Sequence, residues 1–181
     1  MFTRAGRAAI FDRKVYTEAF FDHDAMADGA IVVAVVGVLT YLGGLLWAVV
    51  SNLLPPEVSF FDEFDLGVLF QVLIASVVSW LIIGYATWFA ANRLFQGSGR
   101  PQTLLAMQGL APLPLLLEAL GSPISWAGVV WYLAVLVVAT KEGTDLNYKF
   151  AGVSVLIGFA VAFLIRALLR VPFGLVTGAL F

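Results

Sequence analysis

The sequence predicts an all-α fold, a polytopic membrane bundle of five transmembrane helices with an N-terminal interfacial helix. Three observations carry this expectation. Hydrophobic residues make up 61% of the 181 positions and charged residues only 12%, roughly half the charge of an average soluble domain. The apolar residues gather into runs of about twenty, the length that crosses a bilayer as helix. No strand-period alternation and no internal repeat interrupts them. A chain this short cannot hide so much apolar surface in water. Lipid accepts it, and asks only that backbone groups pair internally, as helices do.

The same composition excludes several functions. A net charge of -2, with basic residues at the ends of apolar runs and not in a stripe, gives no nucleic-acid signal. The absence of cysteine rules out disulfides, zinc-thiolate sites and thiol catalysis. Mixed charges fill the residues before the first apolar run, so a cleavable signal peptide is not expected. There is no Ser/His/Asp set and no paired intramembrane carboxylate, and the GSG at 97–99 lacks the lysine of a phosphate loop. The expectation is a protein with no catalytic residues, no metal and no cofactor.

Residues 1–29 form the N-terminal segment. Phe11 and Val15, with Phe2 and Ile10, are spaced as one apolar stripe among Arg4, Arg7, Asp12, Arg13 and Lys14. Tyr16, Phe20 and Phe21 make a second apolar cluster. This pattern predicts an amphipathic helix lying in the membrane interface, with Phe11, Phe20 and Phe21 as anchors. The alternative is a partly basic tail that only sets topology. Asp22 or Asp24 is placed to cap the first span. His23, the single histidine, sits between them. It is too poor in neighbours for a metal site and reads as a solvated interfacial side chain.

The bundle occupies 30–181. Its first span is 30–50, ending at Ser51 and Asn52, with Pro55 and Pro56 forbidding continuation. The second, 66–91, is long enough to tilt and carries Trp80, Tyr85 and Trp88. Within it Gln71, Ser76 and Ser79, with Ala75 and Ala86, read as a helix-packing face: small residues permit close approach and Gln71 can bond across an interface. After the Gly-rich turn 92–100, Pro101 suits the first turn of a third helix. That helix runs to about 120 and contains Pro112 and Pro114. Gly121, Ser122 and Pro123 turn the chain into a fourth span, 124–140, which the polar stretch 141–149 closes. A fifth spans 150–169. The remaining tail, 171–181, is too short to cross and lies at the interface or re-enters partway; Gly174 and Gly178 in it form a small-xxx-small pair.

Lysine and arginine placement orients the bundle. The N-terminal segment holds Arg4, Arg7, Arg13 and Lys14, the 92–100 turn holds Arg93 and Arg100, and the 141–149 turn holds Lys141 and Lys149. The opposite loops hold no basic residue, and the longer one carries Glu57, Asp62, Glu63 and Asp65. An N-terminus facing the cytoplasm follows. Arg166 and Arg170 fall near the outer face, where long stems snorkel to headgroups; otherwise Arg166 faces a polar interior.

The best candidate polar site is the kink in the third span. Pro112 and Pro114 leave carbonyls near Gln108 and Leu110 without their helical donors, and broken helices expose such carbonyls to substrate or ion in transporters. Gln108 lies beside the kink and Glu118 beyond it. Ordinary packing is the competing reading, since neighbouring helices re-satisfy such groups.

The stretch 84–120, GYATWFAANRLFQGSGRPQTLLAMQGLAPLPLLLEAL, resembles the Yip family of five-span membrane proteins. Its long second span, short Gly-rich turn and proline-bearing third span carry the likeness. The stretch 131–150, WYLAVLVVATKEGTDLNYKF, is similar to the family's fourth span and charged turn, and the Phe20-Phe21 pair also matches. The resemblance covers about 17–169 and is to the prokaryotic-type branch. The acidic-Leu-Tyr-Gly-Pro motif and long N-terminal region of the eukaryotic branch are missing, so Rab binding is not implied. The resemblance implies a membrane-organising or trafficking-like role, or an accessory subunit of a membrane complex, acting with membrane lipids and a protein partner or homo-oligomer. The alternative is a small transporter or channel component using the kinked third span. For a prokaryotic source the plasma membrane is the default location.

The cysteine-free chain makes topology directly testable. A membrane-impermeant maleimide applied to intact cells should label Ser59→Cys, and should label Ser98→Cys only after permeabilisation; the reverse pattern overturns the orientation.

Overall fold

Hydropathy and proline placement together dictate four long helices and one broken one. The computed structural model describes residues 1–51, 64–121 and 124–173, with side chains to 168. Pro55, Pro56, Glu57, Asp62, Glu63, Ser122, Pro123, Gly174 and Gly178 lie outside the described residues, as does the side chain of Arg170. Two short helices open the chain, α1 (Phe2–Ala9) and α2 (Lys14–Phe21). The long helices are α3 (Ala25–Val50), α4 (Leu66–Leu94), α6 (Ile124–Thr144) and α7 (Tyr148–Phe173). Between α4 and α6 stand α5 (Pro101–Gly109) and a 3-10 segment (Leu113–Leu120), bent 40° to one another. All described elements are helical, and four or, with the bent pair, five of them are apolar and long enough to cross a membrane.

The third span breaks where its prolines remove backbone donors. Pro112 cannot donate to the Gln108 carbonyl one turn back. That carbonyl takes the Ala111 N–H at 3.1 Å instead, and the chain leaves the α-helix for the tighter 3-10 winding. The carbonyl expected to stand open at Gln108 is thus occupied. The change also lengthens the span: a 3-10 helix rises about 2.0 Å per residue against about 1.5 Å for α.

Packing places this irregular span at the centre. α3, α4 and α6 pack on it, and α7 packs outside it on α4 and α6. α5 packs on α3, α4 and α6, and the 3-10 segment packs on α3 and α6. Contact is close because side chains are missing where backbones meet. A Cβ added to Gly109 of α5 would stand 2.5 Å from the Gly29 Cα of α3. Gly84 of α4 lies against Leu105, Gly143 of α6 against Leu104 and Met107, and Gly128 of α6 against the Pro114 carbonyl. Small residues at interfaces are how helices associate in lipid, where no hydrophobic drive separates helix from solvent.

The N-terminal segment packs over the third span and α6. A single stripe joining Phe2, Ile10, Phe11 and Val15 does not form, because the helix stops at Ala9. Asp12 is the cause: its Oδ1 accepts the Lys14 N–H at 3.0 Å and its Oδ2 accepts from Arg7 Nε at 2.7 Å, a local competition that ends helices. Phe11 takes a positive φ of 62° in the resulting turn. The two helices fold back on each other, α1 against α6 and the 3-10 segment, α2 against α5 and α6. Ala5, Ala8, Val15, Tyr16 and Ala19 enter one core cluster with Val32, Val36, Met107, Leu110 and Ala139. Arginines hold the hairpin together: Arg4 pairs with Asp22 and, at 3.7 Å, with Asp28 of α3, while Arg7 pairs with Glu18 at 2.9 Å. These contacts hold the Asp12 and Asp22 carboxyls below the usual carboxylate range, chiefly through the arginine hydrogen bonds. Trp131 Nε1 of α6 donates to the Ala9 carbonyl at 2.8 Å.

The expected side-chain cap on the first span does not form: Asp24 stands at the N-cap without a side-chain cap bond, while Asp22 Oδ1 accepts the Asp24 N–H at 3.0 Å in the turn before it. The helix begins at Ala25, five residues before the apolar run. At the same end, the 95–100 turn is fastened to the close of α6, with Ser98 N–H donating to the Thr144 carbonyl at 2.9 Å and its hydroxyl to Asp145 at 2.7 Å.

The Gly29–Gly109 contact admits no side chain. Gly109→Ala should cost about 1–3 kcal/mol by overpacking and lower the melting temperature in detergent by several degrees. Gly44→Ala, with open space around it, should be neutral or gain up to about 1 kcal/mol in helix propensity.

Candidate functional site

Among the described residues the buried polar side chains are Thr87 of α4, Gln108 of α5, Thr140 and Thr144 of α6 and Ser154 of α7. Gln108 is buried one residue before the end of α5. Its Nε2 donates to Thr140 Oγ1 of α6 at 3.1 Å, and that hydroxyl in turn donates to the Leu136 carbonyl at 2.8 Å. Thr144, one turn on, returns its hydroxyl to the Thr140 carbonyl at 2.6 Å. Gln108 Oε1 is left without a partner, facing α4 where Gly84 leaves room for it. Thr87 of α4 is also buried with its hydroxyl unpartnered, against Gly158 of α7. Unpaired polar atoms at this depth are costly, so each raises the demand for exact packing around it.

The four residues expected at the kink do not form one site. Pro112 and Pro114 are buried in the break itself. Glu118 is exposed on the 3-10 segment, ten residues beyond Gln108 and so on the order of 15–20 Å along the span. The arrangement offers a hydrogen-bonded link between two helices, with no general acid or base beside it.

The expected packing face of α4 is half-buried. Ser76 donates to the Val72 carbonyl at 2.8 Å and faces Gly37 of α3, where a Cβ would come within 2.4 Å of its oxygen. Gln71 and Ser79 are half-buried on the same helix. Glycines were the stronger packing signal: Gly29, Gly84 and Gly128 each stand where a long helix meets the third span. The expected anchors all reach the surface. Phe11 is 42% exposed, Phe20 53% and Phe21 74%, with Phe20 and Phe21 packed edge to face at 5.1 Å. Tyr16, grouped with them by sequence, is instead fully buried, and burial beside Glu142 pushes its phenol up.

A groove of about 680 Å³ runs between α4 and α7, walled by aliphatic and aromatic side chains including Tyr85, Phe89, Ile157 and Val161. Neither Gln108 nor Glu118 lines it. Among the described residues no group of three or more His, Asp or Glu side chains is placed to hold a metal ion.

Five apolar crossings with a broken third, a Gly-rich turn after the second and a charged turn after the fourth are now all placed. The Yip1 domain family model matches residues 11–169. The chain belongs to the Yip1-domain family. It is accordingly an integral, multi-pass membrane protein. No curated protein and no solved structure matches it. The Yip1 match begins at Phe11, so it takes in α2 and all the spans, while α1 lies before it. The packing of α1 against α6 therefore belongs to this Yip1-domain chain outside the matched region.

The Gln108–Thr140 link gives an asymmetric expectation. Thr140→Val should cost about 1–3 kcal/mol because it strands a buried amide. The double variant Gln108→Leu with Thr140→Val should recover much of that loss. Thermal unfolding of all four proteins in detergent closes the cycle; simple additivity of the two losses would show that the link is not formed.

Proposed function

We propose that this protein works without chemistry, as a membrane-organising or accessory subunit that acts through its helix faces and its N-terminal hairpin. The observation that carries the reading is the packing of the third span. A transporter must open a path past its broken helix, and here that helix is held closely at glycines of α3, α4 and α6. Its one deep amide donates to Thr140. The exposed aromatics at the N-terminal end supply apolar surface suited to the lipid interface or to a partner helix. In this reading the basic end of the bundle faces the cytoplasm, and the plasma membrane is the site for a prokaryotic source.

The transport alternative draws on the 40° break itself. It requires Gln71, Gln108, Glu118 and Arg166 on one aqueous path. The groove between α4 and α7 is lined by none of them.

Affinity purification from the native membrane in mild detergent, followed by mass spectrometry, should recover a stoichiometric partner or a homo-oligomer. Reconstituted vesicles should show solute flux unchanged by the Gln108→Leu, Glu118→Gln double variant. A monomer that retains no partner and leaves vesicle shape unaltered overturns the organising role, and flux lost in the double variant establishes transport.

A further inference from the structure

The α4 face that lines the groove between α4 and α7 carries a cation one turn beyond the lining residue Phe89. Along α4, Ile82, Ala86 and Phe89 line the groove, and Arg93 continues the same stripe at spacings of four, three and four, which share one helix face. Arg93 is exposed and makes no ion pair or hydrogen bond among the described residues. Arg4, Arg7, Arg13 and Lys141 at this end each pair with a carboxylate, whereas the exposed Lys14, Arg100 and Lys149, like Arg93, make no ion pair among the described residues but stand off this helix face. The groove itself runs from Leu94 to Leu81, roughly 20 Å at the helical rise, enough to cover the roughly 15 Å of one hydrocarbon leaflet. Its walls offer nothing to a polar molecule but Tyr85 and Trp88, and the Trp88 indole is already spent on the Gly99 carbonyl at 3.0 Å.

We propose that this groove binds an anionic phospholipid from the leaflet on the side of the 95–100 turn, with one acyl chain between α4 and α7 and the phosphate on Arg93. An apolar trough alone would take any lipid. The unpaired cation on the same helix face selects a negative headgroup, as basic sites between spans do. The Trp88 bond to Gly99, shared with Asn92 Nδ2 at 3.3 Å, holds the turn against this end of α4. The inference stands apart from the organising role above, since lipid retention is read without any protein partner.

The test is native mass spectrometry of the detergent-purified protein with equimolar phosphatidylglycerol and phosphatidylcholine. The wild type should retain phosphatidylglycerol several-fold over phosphatidylcholine. Arg93→Gln should abolish that preference, while Arg100→Gln, an exposed cation off the groove, should keep it. Ala86→Phe, which fills the trough, should lower retention of both lipids. The proposal is overturned if the wild type shows no preference, if Arg93→Gln retains it, or if Ala86→Phe binds phosphatidylglycerol at the wild-type level, which would leave a surface charge and no groove. Arg93→Gln alters an exposed side chain, so its outcome decides the matter even where Ala86→Phe fails to fold.

Discussion

Two prolines in one span constrain everything around them. A helix that loses backbone donors must have its freed carbonyls satisfied by neighbours or by a local change of winding. Up to the break the third span is buried from Leu104 to Gly109, and the other helices pack on it there. A narrow, irregular rod is packed tightly by helices that leave room at the contact. Gly29 and Gly128 do so by meeting its backbone, and Gly84 and Gly143 by receiving its Leu105, Leu104 and Met107 side chains. The break, its burial and the positions of those glycines are one arrangement seen from three sides.

Three long helices pack on this span, and the N-terminal hairpin covers it further, against α5, α6 and the 3-10 segment. The fit depends on alanine: Ala5, Ala8 and Ala19 are buried where larger residues would hold α1 and α2 away. The charges that make the hairpin look surface-bound are spent within it. Arg4 and Arg7 bind carboxylates of α2, α3 and the turn between the two short helices. The aromatics displaced outward, Phe11, Phe20 and Phe21, then give this end of the molecule an apolar rim.

The crossings were legible in the sequence because hydropathy reports lipid contact directly. Their ends were less so. α3 starts at Ala25 and α6 continues to Thr144, since a helix runs on through polar residues wherever its backbone bonds persist. The kink at Pro112 was legible, but not the destination of the Gln108 side chain, whose partner stands 32 residues away on another helix. The hairpin was hidden for a different reason. Alanines carry almost no hydrophobic signal, so the aromatics dominated the reading of a segment that docks by its small residues. The turn at Asp12 depends on a side chain choosing its own backbone and Arg7, a choice that periodicity does not register.

The bond from Trp131 to the Ala9 carbonyl joins residues 122 positions apart. Synthesis runs from the N-terminus, so α1 and α2 leave the ribosome long before their docking surface on α5 and α6 exists. The hairpin cannot take its final place until the fourth crossing is made. The earliest-made part of the chain is thus held by one of the later-made helices, and a chain cut short before α6 would lack the surface that receives its N-terminus.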